Sequence, residues 1–138
     1  MNTRYAFTIE LSQPLAAAVE TLRAALAAEQ MGIVSEVDDQ ATLKTQLGID
    51  SHPQRLLGIC NPEMAHALLS AEPDIGTLLP CGCGVSEIAP GRTRIALQDP
   101  DVIAASSANA DVRAACEVAS GALLRVVARL ANGTSRPA

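Results

Sequence analysis

The sequence predicts an α+β two-layer sandwich, and three observations carry that prediction. Apolar residues switch repeatedly between a period of two and a helical period, giving the order β-α-β-α-β-α-β-β-α. A Pro90-Gly91 pair joins the last two strands as a hairpin, which favours a mixed or largely antiparallel sheet packed against helices over a doubly wound parallel one. The chain is 138 residues long, 49% hydrophobic and 1% aromatic, so one core must be filled by Leu, Ile, Val and Ala. Residues 1–132 are expected to form a single domain, and 133–138 a disordered C-terminal tail.

Tyr5, Phe7, Ile9 and Leu11 alternate with Ala6, Thr8 and Glu10, the pattern of a strand with one buried face. Ser12 and Pro14 then open a helix, with Ser12 as the expected cap, Leu15, Val19, Leu22 and Leu26 as its apolar stripe, and Gly32 as its close. A second strand is expected over Ile33 to Asp38. Asp38 or Asp39 caps a short helix through Leu43 and Leu47 that stops at Gly48. Arg55 to Cys60 reads as an interior strand, because Leu56, Leu57 and Ile59 leave little polar face. Asn61 and Pro62 supply a cap and first turn for the next helix, with Ala65, Leu68 and Leu69 facing inward and Glu72-Pro73 ending it. The hairpin strands run from Cys81 to Ile88 and from Thr93 to Leu97. A final helix, Asp111 to Leu130, places Val112, Cys116, Ala119, Leu123, Val126, Val127 and Leu130 on one stripe.

Composition excludes several function classes. A net charge of −5 and scattered arginines give no basic footprint for nucleic acid, and two aromatic rings give no stacking platform. No stretch approaches the ~20 apolar residues of a membrane span. The N-terminus lacks the apolar region and cleavage site of a signal peptide, so a cytoplasmic location is expected. Four cysteines in a reducing compartment then read as free thiols, metal ligands or redox groups.

Chemistry concentrates in two segments, Gly58-Ile59-Cys60-Asn61-Pro62 and Leu78-Leu79-Pro80-Cys81-Gly82-Cys83-Gly84. Cys60 precedes a helix start, where unpaired N–H groups stabilise a thiolate; its ordinary reading is a small buried hydrophobe. Cys81 and Cys83 project from one face of an extended segment with Cα atoms about 6.6 Å apart, too far for an easy disulfide. A shared ligand is the alternative, with Gly82 and Gly84 letting backbone approach it. With Cys60 they make a candidate metal set, for which thiolate softness favours Cu(I), Zn(II) or an iron–sulfur species; His52, His66, water or another subunit would complete it. His52 and His66 read as surface histidines, Cys116 as packing, and Asp38-Asp39 and Asp99/Asp101 as caps and turn residues. No Ser–His–Asp trio, nucleotide fingerprint or His-Glu-x-x-His occurs, so an enzyme is the less favoured reading.

The run Leu57-Gly58-Ile59-Cys60-Asn61-Pro62, followed about twenty residues later by Leu78-Leu79-Pro80-Cys81, resembles the bacterial and archaeal family catalogued as domain of unknown function 302. The resemblance spans nearly the whole chain. It implies a compact α+β domain, often a homodimer, without a settled activity, and it makes Cys60, Asn61, Pro62, Leu79, Pro80 and Cys81 the motif positions. Cys83 departs from that pattern. Three readings follow: a small-ligand or metal-binding module with a cysteine-lined site, a homodimeric scaffold whose cysteines only pack, and a thiol redox or persulfide carrier using Cys60 and Cys81.

Overall fold

Alternating side chains between Ala6 and Leu11 and apolar helical spacing after Pro14 start the chain on a sheet and then across it. The computed structural model describes residues 3–134. In order these are β1 (Ala6–Leu11), α1 (Leu15–Ala27), β2 (Gly32–Asp38), α2 (Asp39–Leu47), β3 (Gln54–Cys60), α3 (Pro62–Ala71), a 3₁₀ segment (Pro73–Leu78), β4 (Cys81–Ala89), β5 (Arg92–Gln98), α4 (Asp101–Ala105) and α5 (Ala110–Thr134). The predicted α+β order holds, with the 3₁₀ segment and α4 as additions. Both are short pieces too brief to show a helical period. Helix α5 runs on to Thr134, and residues 135–138 of the expected tail lie outside the described residues.

Among the described residues the strands form one five-stranded sheet of order β1-β5-β4-β3-β2, with every neighbouring pair antiparallel. β1 and β2 are therefore parallel to each other at opposite edges, and α1 with its flanking turns must carry the chain the whole way across. Four strand spacings make about 19 Å. Thirteen residues of helix at 1.5 Å each make about 20 Å, so α1 covers only part of the diagonal from the end of β1 to the start of β2, and the flanking turns supply the rest.

Helices α1 and α5 cover one face of the sheet. Their contact is a core of Leu11, Leu22, Leu26, Val85, Ile95 and Leu97 with Leu123, Val126 and Leu130 of α5. A second, smaller cluster joins Leu68 of α3, Ile75, Cys81, Ile103 of α4, and Val112 and Cys116 of α5. At the end of α1, Glu29 accepts from Arg125 at 2.7 Å and from Arg129 at 3.1 Å, linking α1 to α5. The Arg125 hydrogen bond is the main influence holding its carboxyl below the usual carboxylate range.

Several sequence expectations change in detail. Ser12 does not cap α1: Pro14 occupies the N-cap without a side-chain bond, and Glu87 of β4 supplies the missing acceptor, taking the Leu15 N–H at 2.7 Å. A partner 72 residues away leaves no local pattern to read. Gly32 opens β2 instead of closing α1, and the left-handed residue at that reversal is Gln30, φ 55°. Leu69 is exposed, because α3 buries only the side around Leu68. Asp38 caps α2 through the Ala41 N–H at 3.0 Å, and Gly48, φ 67°, stops it as expected.

Candidate functional site

The fold brings the two cysteine segments together, because β3 and β4 are neighbours and Ile59 pairs with Cys81. Most of what they do there is structural. Asn61 caps α3 by accepting the Met64 N–H at 3.1 Å, and Pro62 occupies the first turn, where its missing N–H costs nothing. Pro80 lies over Gly58: a Cβ at that glycine would sit 2.6 Å from Pro80 Cγ and would collide with Ser35 Oγ. The Leu79-Pro80 peptide is cis. Leu79 packs beside the cluster that holds Cys81. Asn61 also borders a smaller groove of about 200 Å³ between α3 and α5, together with Met31, Met64 and Ala119.

All four cysteines are free, and three of them are buried. Cys81 and Cys83 do share a face, as their spacing requires, but that face is the core. Cys83 packs with Leu57, Val85 and Leu97, whereas Cys81 belongs to the second cluster with Cys116. Burial pushes the Cys83 thiol up to about 12. Burial also pushes Cys81 up to about 11, with the Cys116 and Cys60 thiols adding to the effect. Cys116 is raised by burial and then by Asp101, against a hydrogen bond to the Ala104 backbone. These thiols stay protonated near neutrality, so burial leaves none of them activated as a nucleophile. Among the described residues no three His, Cys, Asp or Glu side chains gather as a metal site requires, so the expected Cys60, Cys81 and Cys83 set is not assembled. The reason is the two-residue repeat of β4: a strand that aims both thiols inward surrounds them with core. His52 and His66 are exposed, as read.

The same repeat aims Gly82 and Gly84 at the face of the sheet opposite the α1–α5 core. There the chain forms a hollow of about 510 Å³. Its floor is Gly82, Gly84 and Ala96, and its walls are Tyr5, Leu56 and Val102. Register places Leu56, Gly84 and Ala96 in one row across β3, β4 and β5, so small residues are flanked by a large one. A Cβ built on Gly82 or Gly84 meets nothing within 4 Å, and neither glycine has a positive φ. Gln98 borders the hollow, and its Oε1 is buried with no hydrogen-bond partner among the described residues. Among the described residues, none that lines the hollow carries a charge.

Comparison with known proteins agrees with the resemblance read in the motifs. The family model for the domain of unknown function DUF302 matches residues 7–130. The chain belongs to this family. A solved structure described as an uncharacterized conserved DUF302 protein from Bacillus stearothermophilus is 26% identical, covers 93% of this chain and 97% of its own, and superposes with a TM-score of 0.76. No curated protein matches the chain.

Within this DUF302 domain the sequence missed Tyr5, Ala96, Gln98 and Val102, which meet only through sheet register and the α4 turn. The two glycines are visible in the sequence as a C-G-C-G alternation, and the period of two puts them on the side of β4 opposite the two thiols. Among the described residues no helix is long and apolar enough to cross a membrane.

Proposed function

We propose that this DUF302 domain is a small-molecule-binding module whose site is the open face of its sheet, and that its buried cysteines are packing residues. The observation that carries this reading is the pair Gly82 and Gly84. Glycine inside a strand costs roughly 0.5–1 kcal/mol relative to alanine, and nothing in the backbone requires it here. Such a glycine marks a place where a ligand or another chain approaches the backbone closely. Hollow volume and apolar lining fall within the range of small-molecule sites, roughly 300–1,000 Å³.

A fragment screen by ligand-observed NMR tests the reading. Neutral fragments are expected to bind the native chain and to lose binding in Gly84→Val, whose side chain fills the floor from a Cβ position that meets nothing within 4 Å. Equal binding to both proteins overturns it. Homodimerisation through the same face is the competing reading, supported by the exposed apolar side chains Tyr5, Val37 and Leu56. Sedimentation decides between them: a native dimer that Gly84→Val converts to monomer assigns the face to a second copy.

A further inference from the structure

The chemistry around the hollow narrows what it can hold. Resting on the small-molecule reading above, we infer that the ligand is a neutral, flat, mainly apolar molecule carrying one N–H or O–H donor, and that Gln98 reads that donor. Neutrality follows from the lining. A charged ligand would lose hydration on entry and find no counter-charge among the residues around it. Flatness follows from the floor, where two peptide planes without side chains run between the taller Tyr5 and Leu56.

Gln98 supplies the polar selection. Its Oε1 is buried without a partner among the described residues, a state that costs free energy until a donor arrives. The terminal amide turns about a broad, roughly two-fold torsion, and Gln98 follows Leu97, the partner of Cys83, just as Gly82 precedes Cys83, so rotation of the amide offers this oxygen to a molecule lying on Gly82. An apolar pocket with one well-placed polar group discriminates strongly against an analogue that lacks the matching donor, because the protein group is then left unsatisfied.

The test uses indole with 1-methylindole, and 2-naphthol with its methyl ether, titrated against the full chain while the Gly82, Gly84 and Ala96 amides are followed by NMR. The chain contains no tryptophan, so indole fluorescence gives an independent readout. Expected is about tenfold tighter binding of the donor-bearing member of each pair, the difference collapsing in Gln98→Met. Equal affinity within both pairs, on the native chain, overturns the donor assignment while leaving the small-molecule reading intact. Binding of none of the four overturns both. Gln98→Met is paired with Gly84→Val, which should abolish binding of every probe; a Gln98→Met protein that keeps the discrimination removes Gln98 from the role.

Discussion

Gly82, Gly84 and Gly58 lie within three residues of one another in register, yet substitution should separate them sharply. Valine at 82 or 84 enters open space and replaces a residue poorly suited to strands, so stability should hold or rise by roughly 0.5–1 kcal/mol in urea denaturation. Alanine at 58 meets Pro80 and Ser35, and should cost roughly 1–3 kcal/mol in the same experiment. The cysteines divide in a similar way. Cys83→Val should be nearly neutral, while Cys83→Ser should cost roughly 1–3 kcal/mol, because a hydroxyl in that core has no partner. In alkylation followed by mass spectrometry, Cys60 should react first, being the one cysteine of the four that is not buried. A rapid reaction at Cys81 would restore the thiol reading. At this scale the sequence showed that Cys81 and Cys83 share one side of β4 but not that this side is the core. Residue spacing shows that two side chains share a side, but only the packing of α1 and α5 decides which side becomes the core.

Helix boundaries were legible wherever the cap is local. Asp38, Gly48 and the Asn61-Pro62 pair all act within a few residues of the helix end they shape, so each could be read from sequence alone. Helix α1 shows the limit, since its N-terminal acceptor comes from Glu87 on β4. Asn61→Ala and Glu87→Ala should each lower stability by about 1 kcal/mol, by the loss of one cap apiece. Helix-resolved hydrogen exchange distinguishes them: the first should loosen the start of α3, the second the start of α1. If Glu87→Ala leaves α1 protection unchanged, the cap from β4 carries no stability. The short α4 and the 3₁₀ segment were invisible for a different reason, since five or six residues cannot display a period of 3.6.

For the whole molecule, the buried thiols tie stability to alkaline pH. In the unfolded chain they ionise near their ordinary value of 9.0, whereas folding raises Cys81 to about 11 and Cys83 to about 12. Their contribution is therefore fully present below pH 9 and is lost as pH rises towards 11 to 12, where the unfolded chain releases protons that the folded one retains. Each thiol should remove about 1.4 kcal/mol per pH unit across its window. The measurement is the difference in unfolding free energy between the native chain and a Cys81→Val/Cys83→Val variant from pH 8 to 11; a constant difference would sink the claim. Sheet order was the part of the architecture that sequence could not supply, because β1 and β2 follow one another in the chain yet end on opposite sides. That placement makes residues 6–38 a clasp: one N-terminal arm closes both edges of the β3-β4-β5 meander. Cutting the chain before α2 would bare the outer rims of β3 and β5 at once, and the remainder should meet its own copies edge to edge and grow into aggregates.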